Sequence, residues 1–149
     1  SRPALYQFFK NKQEIYRSII QLMSLDALAK IDLALASTAP LEERIFLAVK
    51  TGVLDMVAEM EATTHGAELV DMKNELAGEV IAEFTFSIIE RLTQAFAEIG
   101  EELPVAPEVM ASNLSFWLEG MKLAIKEPQE REAALQGFLA MQFAAIKSA

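Results

Sequence analysis

Three prolines decide how this chain can be divided. Pro40 is followed by Leu41-Glu42-Glu43, Pro107 by Glu108, and Pro128 by Gln129-Glu130. Proline at the first helical position, with acid in the first turn, is a helix start. Its missing N–H would have no intrahelical partner there, and the carboxylates face the positive end of the helix dipole. Asn11, with Glu14 three residues on, is a further start of the capping-box kind. Between these points apolar residues recur at helical rather than alternating spacing. One face carries Tyr16, Ile20, Met23, Ala27 and Ile31; the next carries Ile45, Val49, Val53, Met56 and Met60. The pattern predicts helices over 12–36, 41–60, a shorter one ending at 72, then 74–99, 107–126 and 128–146. Thr63-Thr64-His65-Gly66 and Gly100-Glu101-Glu102-Leu103-Pro104 read as breaks. The expected fold is an all-α helical bundle, with no internal repeat, low-complexity tract or domain linker.

A chain of 149 residues, 52% hydrophobic and 23% charged, can bury a sizeable core. Its net charge of −9 argues against most of it touching nucleic acid. The exception is the start, where Arg2, Lys10, Lys12 and Arg17 outnumber the single acid Glu14 before Asp26. No cysteine is present, which excludes disulfides and thiolate chemistry. No apolar run is long enough to span a membrane and no signal-like start occurs, which points to a cytoplasmic protein with no membrane partner.

Catalytic chemistry has little to work with. His65 is the one histidine, no serine sits in a sharp strand-to-helix turn, and the glycines are too scattered to cradle a phosphate. Glu61, His65 and Glu68 have helical spacing, but the paired Glu-x-x-His units of a di-iron bundle are missing. Glu75, Glu79 and Glu83 read as a solvated stripe. Neither an enzymatic activity nor a metal or other cofactor is expected.

The first sixteen residues carry a more specific signal. Ser1, Pro3, Leu5, Tyr6, Phe9, Lys12 and Glu14 fall on a pattern that resembles the recognition helix of the TetR family of transcriptional regulators, followed by the start of that family's connecting helix. Ala4 departs from the commoner threonine. The resemblance divides the chain into residues 1–16, the end of a DNA-binding helix-turn-helix, and 17–149, an effector-binding and dimerisation domain. It also implies that earlier helices of the DNA-binding unit precede Ser1. In such a motif the second helix enters the major groove. Ser1 suits an N-cap and Pro3 the first turn. Tyr6 and Lys12 are by resemblance the phosphate clamps. Arg2, Pro3 and Gln7 are the base readers; Arg2 matches a guanine edge, and Pro3 and Ala4 offer apolar contact to a thymine methyl.

The resemblance further implies a homodimer that binds a double-stranded DNA operator and is released by a small effector. The last two helices would form the interface as a four-helix bundle. They are apolar on more than one face, which requires two covers. Phe116, Gly120 and Leu123, with Leu135, Phe138, Leu139, Gln142, Phe143 and Ile146, are the expected interface. Gly120 and Gly137 each cost a helix about 1 kcal/mol relative to alanine, and close helix approach would explain both. The effector would sit among the middle helices in a large, hydrophobic pocket. Met56, Met60, Phe84, Ile88, Trp117 and Met121 would form its walls, with His65 and Asn113 as polar anchors. The implied function is a repressor that a hydrophobic or aromatic effector releases. A helical small-molecule carrier that does not touch DNA is the alternative.

Overall fold

The computed structural model describes residues 4, 7–63 and 78–147, and these are helical throughout apart from short connections. Helix α1 spans Lys12–Leu35, α2 Leu41–Val49, α3 Asp55–Ala62, α4 Gly78–Ala97, α5 Pro107–Ala124 and α6 Pro128–Lys147. A π-helical turn, Lys50–Leu54, joins α2 to α3 without a break, and a 3₁₀ turn, Gly100–Glu102, follows α4. Among the described residues there is no strand, so the fold is all-α.

The starts read from the sequence are present. Asn11 caps α1, its Oδ1 accepting the Glu14 N–H at 2.9 Å. The reciprocal arm lands one residue earlier than the motif prescribes, because the Glu14 carboxylate accepts the Lys10 N–H at 2.7 Å. Pro107 opens α5 and Pro128 opens α6, each with glutamate in the first turn. Gly100, at φ +75°, turns the chain after α4 in the left-handed region that favours glycine.

The expected single helix over 41–60 contains an irregularity that hydrophobic spacing did not reveal. At the π turn the Thr51 hydroxyl donates to the Leu47 carbonyl at 2.8 Å. Gly52 is buried where α1 crosses. A Cβ there would overlap the Ile31 side chain and lie 3.0 Å from the Ala27 carbonyl oxygen. The wide turn and the missing side chain together let α1 lie close against the junction of α2 and α3.

One main core runs through all the helices, with Ile31, Ile45, Leu92, Phe96, Leu114 and Leu135 among its most deeply buried members. A second, small cluster holds Ile20 of α1 against Val80, with Ile81 packed beside it. The two ends of α1 are therefore held differently. Its C-terminal half joins the main core through Ala27 and Ile31 and is fastened by one bidentate ion pair and by a hydrogen bond from Arg44. Arg91 binds Asp32 at 2.6 and 3.1 Å. Arg44 binds Glu98 at 2.7 and 2.9 Å and also donates to the Leu35 carbonyl, at 2.7 Å, near the end of α1. Among the described residues, the N-terminal half has the Ile20 cluster and the exposed pair Arg17–Glu79 at 3.1 Å.

Candidate functional site

A cavity of about 50 Å³ lies between the two apolar clusters. Helix α1 contributes Ile20, Met23 and Ser24. The π turn and α3 contribute Val53, Met56, Val57 and Met60. Helix α4 adds Ile81, Phe84, Thr85 and Ile88, and α5 adds Ser115, Leu118, Glu119 and Lys122. It is small beside the roughly 150 Å³ that a dry cavity offers to benzene.

Four of the eight residues expected at an effector pocket meet here: Met56, Met60, Phe84 and Ile88. Three of the others, Met121, Trp117 and Asn113, do not line it. Met121 is buried in the main core. Trp117 lies flat on Phe138, with centroids 4.2 Å apart and planes 11° apart. Asn113 is exposed, because it falls outside the α5 face that carries Met110, Leu114 and Leu118 inward. His65 lies outside the described residues. Among the described residues, the cavity at Met56, Met60, Phe84 and Ile88 is about 50 Å³, and its lining includes Ser24, Ser115, Glu119 and Lys122 as well as apolar side chains.

Two polar lining residues were missed in the sequence. Ser24 and Ser115 are more than nine-tenths buried and line the cavity. A serine at helical spacing among apolar residues reads as a gap in the stripe. In α1, where Ile20, Ser24, Ala27 and Ile31 share the buried face, that gap is a signal that could have been used. On the same helix as Ser115, Lys122 donates to Glu119 at 2.5 Å; the lysine side chain is only 14% exposed.

The turn below this wall is fixed by Arg131, whose side chain is 1% exposed. It binds Glu61 with two hydrogen bonds, at 2.9 and 3.0 Å, and donates to the Ile125 carbonyl at 2.8 Å and the Lys122 carbonyl at 3.4 Å. One side chain thereby joins the end of α3 to the end of α5. Arg131 lowers the Glu61 carboxyl below its usual range, chiefly through these hydrogen bonds. Arg44 does the same to Glu98. Glu61 is therefore committed to a structural pair, and no metal-holding group of acidic or histidine side chains exists among the described residues. Glu79 and Glu83 are exposed, as a solvated stripe would be; Glu75 and Glu68 lie outside the described residues.

Of the residues expected to contact DNA, Ser1, Arg2, Pro3 and Tyr6 lie outside the described residues. Ala4, Gln7 and Lys12 are exposed, and the Lys12 ammonium lies 5.3 Å from the centre of the Tyr16 ring.

The residues expected at a subunit interface separate into two groups. Leu135, Leu139, Phe143 and Ile146 are buried in the chain's own core. Phe116 and Leu123, 71% and 76% exposed, form an outer stripe on α5 with Val109 and Gly120. Phe138 is half-buried on Trp117, and Met141 is exposed on α6. Gln142 is half-buried, with its Oε1 buried and unpartnered among the described residues. A Cβ on Gly120 or Gly137 would meet nothing within 4 Å among the described residues, so no close approach between these residues accounts for either glycine. No described helix is long and apolar enough to cross a membrane.

Comparison of the chain with protein-family models, with curated proteins and with solved structures finds no match in any of the three.

Proposed function

We propose that this chain is the ligand-responsive body of a dimeric DNA-binding regulator, a repressor that leaves its operator when a small molecule fills the cavity. The observation that carries the reading is the course of α1. Its first turn carries Lys12, directly after the segment that resembles a recognition helix, and two to three turns later the same helix lines the cavity with Ile20, Met23 and Ser24. A ligand that prefers one position of α1 over another alters where the N-terminal segment stands. It acts only through that preference, whatever its overall affinity. In a dimer, two recognition helices must stand about 34 Å apart to enter successive major grooves, so a small displacement of each is enough to spoil the match. The outer stripe Val109, Phe116 and Leu123 supports an interface through α5 and α6, because exposed aromatic and aliphatic side chains in one row favour a second cover. The basic start and the acidic remainder fit the same division of labour.

The test is salt-dependent binding of the full-length protein to DNA from upstream of its own gene. Tyr6→Phe and Lys12→Ala are each expected to weaken binding across all sequences and to reduce its salt dependence. Wild-type affinity in both variants, or no specific site in a wider operator search, transfers the function to a helical small-molecule carrier.

A further inference from the structure

The junction between α2 and α3 holds an ion pair that a regular helix would not form. In an α-helix a side chain faces those three and four places on, while one five places on points elsewhere. Lys50 and Asp55, five apart, are nevertheless joined twice. The Asp55 N–H donates to the Lys50 carbonyl, and the Lys50 ammonium donates to both Asp55 carboxylate oxygens, at 3.3 and 3.4 Å. Both links depend on the wider ring of the π turn, which carries a surplus residue and brings Asp55 round to Lys50. The same ammonium stands 3.8 Å from the Glu132 carboxylate of α6. We propose that the π turn is a hinge between α2 and α3, and that Lys50 is the latch that holds it shut.

The two helices that meet at this turn are anchored unequally. Helix α2 is sunk in the main core through Ile45, Ala48 and Val49 and is tied to Glu98 by Arg44. Helix α3 buries only Met60 fully and turns Met56, Val57 and Met60 to the cavity. A segment with few buried apolar contacts opens at lower cost than the core beside it. The far end of α3 stays tethered through Glu61 to Arg131, so the opening is a swing about that tether and not a loss of the helix. Inside the turn the regular bonding is already loosened. The Thr51 hydroxyl occupies the Leu47 carbonyl, which a regular helix would offer to the Thr51 N–H. Gly52 leaves the backbone there without a side chain to restrain it. It also rests directly against Ile31 and the Ala27 carbonyl of α1. Opening the turn therefore shifts Met56 and Met60 at the cavity and displaces the surface on which α1 lies. Such a hinge serves a regulator and a carrier alike.

The experiment is native-state hydrogen exchange of the full-length protein, read residue by residue by NMR. The Asp55 amide is expected to be protected at least about ten-fold less than the amides of Val49 and Met60 on either side, through openings that low denaturant barely accelerates. Relaxation dispersion on labelled methionine methyls should find microsecond-to-millisecond exchange at Met56 and Met60 and none at Met110 and Met121, which lie in the main core. Lys50→Met keeps the stem and removes the ammonium. It should raise exchange at Asp55 by about two- to five-fold, the range of a partly exposed ion pair, and leave Val49 unchanged. Lys50→Arg, which preserves the charge, should keep the parent rate at Asp55. Equal protection at Asp55, Val49 and Met60 overturns the hinge. So does methyl exchange at Met110 and Met121 as strong as at Met56 and Met60, because the motion would then belong to the whole bundle. An unchanged Asp55 rate in Lys50→Met, or the same rise in Lys50→Arg, overturns the latch.

Discussion

Replacing Arg131 by methionine tests how much of the bundle depends on one buried cation. Methionine keeps most of the apolar stem and removes the guanidinium. The loss comprises a short bond to the Ile125 carbonyl, a longer one to Lys122, and the bidentate pair with Glu61. A bond from a charged donor to a buried carbonyl contributes about 1.5 kcal/mol. The Glu61 side chain is 40% exposed and regains water when its partner leaves, so the pair is discounted to about 1 kcal/mol. The net cost is about 2–3 kcal/mol, less than for removing one partner of a fully buried pair. In a chain of this size that lowers Tm by about 5–10 °C. Urea unfolding of Arg131→Met, Glu61→Gln and the double variant would measure it and give a coupling of about 1 kcal/mol between the two residues. A loss in Arg131→Met below about 0.5 kcal/mol would refute the argument that this side chain fastens α3 to the end of α5. Arg131→Lys should recover little, because a single ammonium cannot serve a carboxylate edge and two carbonyls together.

Gly52→Ala should cost about 1–3 kcal/mol, because its Cβ overlaps Ile31; Ile31→Ala in the same chain should recover part of that loss, and unfolding of the four species checks it. Glu61 and Glu98 are both lowered below the ordinary carboxyl value of 4.5, so their pairs stabilise the fold fully above that pH. The contribution is lost as pH falls below 4.5 through the lower folded values, and denaturant midpoints recorded through the acid range should show Arg131→Met less acid-sensitive than the parent. Phe116→Lys, in the exposed stripe of α5, should shift sedimentation towards the monomer without lowering monomer stability by more than about 0.5 kcal/mol; an unchanged sedimentation coefficient would remove α5 from the interface.

Much of the architecture could be read in the sequence because its signals are local. Asn11, Pro107 and Pro128 mark helix starts whatever the rest of the chain does, and the apolar rows of α1 and α2 are the rows that the fold buries. Four of the six expected wall residues came from the same periodicity, which is why Met56, Met60, Phe84 and Ile88 are together. Periodicity fails where two buried destinations compete for one helix. Trp117 and Met121 have the right residue type and spacing for a pocket, but Trp117 is taken up by Phe138 and Met121 by the core. The π turn was hidden because an apolar row survives one extra residue, and only Gly52, beside a crossing helix, marks it. The serines were overlooked because a small polar residue inside a stripe carries no charge and little volume. That both line a cavity appears only once the helices are packed.

The unequal fastening of α1 has a mechanical consequence. The bidentate Arg91–Asp32 pair, the Arg44 bond to the Leu35 carbonyl and the main core hold it near Asp32, while Ile20 rests in a small separate cluster. At 1.5 Å per residue, Ser24 lies about 12 Å from that anchored point and Lys12 about 30 Å. If α1 tilts as a rigid rod about Asp32, a displacement at Ser24 is magnified about 2.5-fold at Lys12. A shift of about 1 Å, the scale on which a methionine side chain gives way, becomes about 2.5 Å at the far end. Where the anchor sits sets this gain. Loosening Arg91–Asp32 would move the fulcrum and change the gain without altering any atom that lines the cavity.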